Sequence, residues 1–167
     1  MNAVKLVEYV NEQNQLVELI KQFWLCHNHT IQTQNECLQD VENWTKSDHQ
    51  VYFIVYQKQY IGFVHLGNRG GEIDWLEHLF VKPEYQNKGI GTQVIQLVEE
   101  IVKQYSISLY IEAASKNEKV IRLYRRLGYD CLNTISIRKD FNQDDLECVK
   151  HEKIYDLDFE IRKVKND

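Results

Sequence analysis

Residues 75–92 read WLEHLFVKPEYQNKGIGT: an apolar run, the single proline Pro83, and a short loop, Gln86-Asn87-Lys88-Gly89-Ile90-Gly91, passing into a long amphipathic segment at Thr92. A strand that ends in a glycine-containing loop opening a helix gathers unpaired backbone N–H groups at one point. The helix dipole favours negative charge there. The backbone of Gln86, Asn87, Lys88, Gly89, Ile90, Gly91 and Thr92 is therefore expected to seat a phosphate. Its glycine spacing is neither the G-x-x-x-x-G-K-[ST] of a nucleotide triphosphatase nor the three-glycine fingerprint of a dinucleotide-binding dehydrogenase, which sets both classes aside.

Upstream, residues 51–56, 60–66 and 72–81 are rich in β-branched and aromatic side chains and predict an antiparallel meander, with Gln57-Lys58-Gln59 as a hairpin turn and residues 67–71, GNRGG, as the next. Before them, a strand over 4–10 leads to a helix over 11–26, where Leu16, Leu19, Ile20, Phe23 and Trp24 form one stripe. Thr33-x-x-Glu36 has capping-box form for a second helix reaching residue 46. Downstream, Val94, Leu97, Val98, Ile101, Val102 and Tyr105 make a helical stripe. Residues 107–111 alternate as a strand, and strand–helix–strand implies a parallel crossover. Ser115-x-x-Glu118 predicts the cap of a short helix ending at Gly128. Residues 129–141 and 153–163 predict two last strands joined by the acidic segment 142–151. The order predicts an α/β fold of the α+β, mixed-sheet kind: seven strands, mostly antiparallel, with helices on both faces.

The 167 residues suit one domain over 1–167, with no linker or repeat. With 20 Lys+Arg against 25 Asp+Glu the net charge is −5, which argues against a nucleic-acid partner and suits a cationic small molecule. There is no signal-peptide pattern and no apolar run approaching about 18 residues, so a soluble cytoplasmic protein without a membrane partner is expected. Cys26, Cys37, Cys131 and Cys148 lack C-x-x-C spacing, and Cys26-His27-Asn28-His29 reads as a polar helix end. No metal is expected.

The loop also fits [QR]-x-x-G-x-[GA], with Gln86, Gly89 and Gly91 in place, and residues 117–129, NEKVIRLYRRLGY, are close to N-x-x-A-x-x-[LF]-Y-x-x-x-G-[FY]. The two patterns arrive in order, separated by a helix and a strand. The chain thereby resembles the GNAT-superfamily N-acetyltransferases, with Val120 departing from the usual small residue. The resemblance spans about residues 3–164 and implies a GNAT-like fold whose parallel strand pair splays. It also implies acetyl-CoA as co-substrate and an amine acceptor, and it leaves a homodimer open.

Attack of an amine on a thioester needs the free amine, and deprotonating an alkylamine at pH 7 costs roughly 4–5 kcal/mol. The leaving thiolate can take a proton from a phenol at a cost of about 2 kcal/mol. The resemblance places the pantetheine arm on backbone groups of Leu79, Phe80 and Val81. It gives Glu77 the part of base, usually through water, with His78, Asp74 and Glu112 as alternatives. It gives Tyr124 the part of acid toward sulfur, and Asn117 a cofactor contact that is compatible with its also capping the helix. Arg126 is a candidate partner for a cofactor phosphate. Trp24, Asp74, Trp75 and Glu77 form an expected acidic, aromatic-walled acceptor site for a cation. An aminoglycoside, a polyamine, an amino acid and a protein amine all remain compatible, as does a non-catalytic acyl-CoA-binding module of the same fold.

Overall fold

The computed structural model describes residues 3–165, and the chain divides between Glu112 and Ala113 into two compact units. In the first unit five strands pair in chain order: β1 (Lys5–Glu8), β2 (His49–Tyr56), β3 (Gln59–Gly67), β4 (Trp75–Val81) and β5 (Tyr110–Ile111). The first four are antiparallel neighbours, and β5 joins β4 in parallel.

Side chains alternate across a strand, so two cores arise from one sheet. Phe53, Phe63 and Phe80 turn toward α1 (Gln13–Asn28) and α2 (Gln34–Trp44), where Leu16, Ile20, Phe23, Val41 and Trp44 bury them. Ile54, Val64, Leu66, Leu76 and Val81 turn toward α3 (Ile90–Val102), against Ile90, Val94 and Val98. Each fully buried side chain contributes about 1.5–3 kcal/mol. The capping box of α2 forms as expected: Glu36 N donates to Thr33 Oγ1 at 3.3 Å, and Thr33 N donates to Glu36 Oε2 at 2.7 Å. The β2–β3 hairpin turns on two residues rather than three. Gln57 and Lys58 both have positive φ, 50° and 65°, the conformation of a tight turn that glycine or asparagine usually signals.

The second unit holds α4 (Glu118–Arg126) and the hairpin of β6 (Leu146–Ile154) and β7 (Leu157–Val164). Asn117, not Ser115, caps α4, accepting from Val120 N at 3.3 Å. At its end Gly128 takes φ 101°, and the bonds Gly128 N to Arg125 O and Tyr129 N to Tyr124 O complete a Schellman motif. The expected seven-stranded sheet is corrected to five strands in one unit and two in the other. No strand forms over 129–141. A strand exists only where a neighbour accepts its backbone bonds, and Leu132, Ile137 and Phe141 are exposed. The strand expected over 153–163 is divided by a turn at Tyr155 and Asp156, both with positive φ, and much of the acidic joining segment is β6 itself. The β6–β7 ladder is mostly exposed and pairs charges such as Lys163 with Glu147 at 3.0 Å, so it carries no apolar alternation. No helix among the described residues is long and apolar enough to cross a membrane.

At Gly62 the backbone of β4 leaves no room for a side chain on β3: a Cβ there would lie 1.9 Å from Phe80 O. Gly62→Ala should therefore cost about 3 kcal/mol or more, while Gly71→Ala, with open space around it, should change stability by less than about 0.5 kcal/mol. Urea denaturation of the two variants checks this, and equal midpoints would contradict the close approach.

Candidate active site

β3 and β4 lose register once. His65 faces His78 and Leu66 faces Leu76, so Glu77 is the extra residue of a β-bulge. Trp75, paired with Gly67, looks to the α1–α2 face, and Leu76 looks to α3. The bulge then lets Glu77 and His78, although adjacent, both return to the α1–α2 face. A Cβ on Gly67 would meet Glu77 Cγ at 2.9 Å and His49 Nδ1 at 3.1 Å, so these groups share one side of the sheet. Parallel pairing of β4 with β5 covers only Trp75↔Tyr110 and Leu76↔Ile111 and stops at the bulge. Beyond it Leu79, Phe80 and Val81 are paired to β3 alone.

The carboxylate of Glu77 is not free. Arg69, from the turn after β3, donates Nε to Glu77 Oε1 at 2.8 Å and an Nη to Oε2 at 2.7 Å, and reaches Glu112 Oε1 at 2.8 Å. Its guanidinium lies 4.1 Å over the Trp75 ring, which stacks on Tyr110 at 4.9 Å. The fork holds the Glu77 carboxyl below the usual carboxylate range despite partial burial. Glu77, the base that the resemblance implies, is thus a carboxylate already engaged by a cation of the chain itself.

Beside it runs a chain of three imidazoles. His49 Nδ1 lies 2.8 Å from His65 Nε2, and His65 Nδ1 lies 2.9 Å from His78 Nδ1. Trp44 stacks on both His65 and His78, at 4.9 and 4.5 Å, and Phe23 meets His78 edge-on at 5.2 Å. Burial drives the pKa of His78 down to about 4. It drives that of His65 down to about 2, helped by the neighbouring rings. Both rings are neutral at pH 7. Trp24 approaches His78 at 6.2 Å and donates its indole N–H to Asp40 at 2.7 Å.

β4 leads through a 3₁₀ turn (Pro83–Tyr85) into the loop, whose Gln86 side chain ties back to Val81 O at 2.7 Å. Lys88 Nζ donates to Glu84 O at 2.8 Å. Asn87 and Gly89 take φ 58° and 76°, which turns the chain into α3. Gly89 is the N-cap of α3 and no side chain caps the helix, leaving the amides of Ile90, Gly91 and Thr92 to an outside acceptor. A Cβ at Gly89 or Gly91 would meet nothing within 4 Å, so the space over this backbone is open. In the second unit, Asn117 and Arg126 are exposed at opposite ends of α4. Tyr124 lies between them, half-buried, with its phenol pKa pushed up by burial.

The first unit therefore brings together Trp24, Trp75, Glu77 and the end of β4. Asp74 stands apart from this group. It is buried, accepts from Ser106 Oγ at 2.7 Å, and lies near Tyr105 just past α3. Arg69, His49, His65 and Tyr110 were not singled out from the sequence. The alternation Phe63-His65-Gly67 was the available signal, because it puts a histidine on a core-facing row. All four cysteines are free. Among the described residues, potential metal ligands gather only at Cys148, His151 and Glu160, all exposed on the β6–β7 hairpin, with Glu160 also paired to Arg162 at 2.7 Å.

A model of the acetyltransferase (GNAT) family matches residues 14–129. The spermine/spermidine N(1)-acetyltransferase of Bacillus subtilis (strain 168) is 26% identical over 109 residues, 59% of this chain and 70% of its own. The thialysine N-epsilon-acetyltransferase of Sus scrofa is 36% identical over 55 residues, 32% of each chain. Among solved structures, the aminoglycoside N-acetyltransferase AAC(6′)-Iy in complex with CoA aligns with a TM-score of 0.65 at 17% identity, covering 85% of this chain and 97% of that one. A possible acetyltransferase from Clostridium difficile 630 aligns with a TM-score of 0.67 at 10% identity, covering 83% and 99%. At these identities the structural likeness establishes the fold.

The buried histidines fix how stability responds to acid. Unfolded imidazoles take up a proton near pH 6.5, whereas folded His78 and His65 do so only near 4 and 2. Between those values the unfolded state binds more protons, so acid favours it. Stability should be full above about pH 6.5 and fall by on the order of 1–3 kcal/mol per ring by about pH 4.5. The Glu77 contribution is lost only at lower pH, because its carboxyl is lowered from a starting value already below that of an imidazole. Thermal unfolding followed from about pH 7 to about pH 5 should show Tm falling across that window. A flat Tm would contradict the burial of neutral rings.

Proposed function

The chain belongs to the acetyltransferase (GNAT) family, and from that premise we propose that it is an N-acetyltransferase moving the acetyl group of acetyl-CoA to a primary amine of a small cationic molecule, by direct attack in a ternary complex. The observation that carries this is the junction of β4 with α3: a strand whose parallel pairing ends at a bulge and which leads into a helix start with no side-chain cap. In this proposal the backbone of Leu79, Phe80 and Val81 receives the pantetheine amides. The amides from Gln86 to Thr92 receive the pyrophosphate. Asn117 and Arg126 add cofactor contacts, and Tyr124 protonates the leaving thiolate. A phenol raised by burial stays protonated at working pH and is needed only as charge grows on sulfur.

The preference for a cation rests on Arg69. An aromatic face and two carboxylates, Trp75 with Glu77 and Glu112, already surround a guanidinium of the chain itself. A cationic acceptor takes that place, with Trp24 as a further wall. The relatives named for spermine and spermidine support a small polyamine over larger acceptors. With its pKa lowered, Glu77 is suited to anchor the ammonium, and a weaker base than an ordinary glutamate for removing its proton.

Thiol release from acetyl-CoA, measured across polyamines, aminoglycosides, amino acids and peptides, tests the reading. Release with small polycations is expected. Release with peptides alone would move the acceptor to a protein amine, and binding without release in any case would make the chain an acyl-CoA-binding module.

Two consequences follow for variants. Tyr124→Phe should lower kcat by about 10–1000-fold with unchanged acetyl-CoA affinity, and wild-type kcat would remove the acid role. Glu77→Gln should raise KM for a cationic acceptor by about 10–100-fold, whereas Arg69→Ala should lower it by vacating the site. Steady-state kinetics on both variants decides this, and KM moving the same way in the two would count against displacement of Arg69.

A further inference from the structure

Among the described residues, the buried side chain of His65 makes hydrogen bonds only with two other imidazoles, His49 and His78. Aliphatic residues would fill the space under Trp44 without needing partners. Both ends of the chain open outward. His78 uses only Nδ1, and no buried side-chain nitrogen or oxygen among the described residues lacks a partner, so its Nε2 must reach solvent. At the other end His49 Nε2 lies 3.8 Å from Asp48 Oδ1, on a half-buried ring beside an exposed carboxylate. We propose that His78, His65 and His49 form a proton relay, carrying the acceptor's proton from the β4 bulge to solvent beside Asp48. This rests on the acetyl-transfer reading and names the route by which the amine becomes a nucleophile.

The step balances with every ring neutral before and after. At the start His78 carries its proton on Nδ1 and donates to His65 Nδ1, His65 carries its own on Nε2 and donates to His49 Nδ1, and His49 carries its own on Nε2. The N–H bond of the bound ammonium breaks as one forms at His78 Nε2. His78 Nδ1 passes its proton to His65 Nδ1, His65 Nε2 passes its proton to His49 Nδ1, and His49 Nε2 releases its proton to water. The electron pair of the broken ammonium bond stays on the amine, which attacks the thioester carbon. Once product leaves, a solvent proton entering at His49 and leaving at His78 to water restores the first tautomers. Burial suits this work because it disfavours a resting charge on the middle ring. The other ionisable groups facing the chain are Glu77 of β4, His27 of α1, Asp40 of α2 through Trp24, Arg69 after β3 and Asp48 before β2. None of them forms a hydrogen bond with His65.

The test uses His49→Ala, which removes the outer ring at the solvent-facing end. Relative to wild type, kcat with a small polyamine should fall by about 10–100-fold. Acetyl-CoA affinity and the circular dichroism spectrum should be unchanged. Added imidazole should restore kcat in proportion to its concentration, since a buffer base can then collect the proton from His65. A variant with wild-type kcat, or a folded variant whose lost activity no buffer base restores, overturns the relay. Nitrogen-15 spectra of the wild-type rings at neutral pH give a readout that needs no acceptor. Shifts that place one proton on each ring, at Nδ1 of His78 and at Nε2 of His65 and His49, support the relay, and a tautomer set that breaks this chain of donors, or a charged His65, overturns it. Absence of acetyl transfer by the wild type itself would instead overturn the function on which it rests.

Discussion

An antiparallel pair accommodates one unmatched residue only by bending and twisting the strand that carries it. Glu77 is that residue, and most of what sets this protein apart from a plain layered sheet follows from it. Strict alternation would send neighbours to opposite faces. With the bulge, Trp75, Glu77 and His78 all reach the α1–α2 side within four positions. The same point is where β5 stops pairing, so β4 continues with one partner into the loop that starts α3. A carboxylate, an imidazole, an unpaired strand edge and an uncapped helix start are thus delivered by fewer than twenty residues.

Two polar arrangements sit side by side at the bulge and satisfy their groups differently. Glu77 is held by charge, through a guanidinium fork that strengthens its ionised form. His65 and His78 are held by burial and by neighbouring rings, and stay neutral at pH 7. In the proposed mechanism, charge on Glu77 and neutral rings from His78 onward separate holding a cation from moving its proton, two tasks that a single carboxylate performs poorly together.

The sequence carried the parts of this that depend on local chemistry. The Thr33–Glu36 box, the stripes of α1 and α3, and the loop from Gln86 to Gly91 were legible because spacing within one element defines them. The turns at Gln57-Lys58 and Tyr155-Asp156 were not, because neither contains the glycine or asparagine that usually marks positive φ. Asn117 displaced Ser115 as cap, a choice between two competent side chains two positions apart. Asp74 and Trp75 were grouped as neighbours, yet Asp74 is held by Ser106 while Trp75 faces Arg69. The histidine chain was invisible for a different reason. His49, His65 and His78 are 16 and 13 positions apart, and only sheet register brings them together.

The central claim is that the end of β4 and the start of α3 together receive acetyl-CoA. Amide hydrogen exchange with and without acetyl-CoA tests it without any acceptor. Slowed exchange concentrated at residues 79–81 and 89–92 is the result this account predicts. Binding that leaves those amides exchanging at their free rates, with protection elsewhere in the chain, would contradict it.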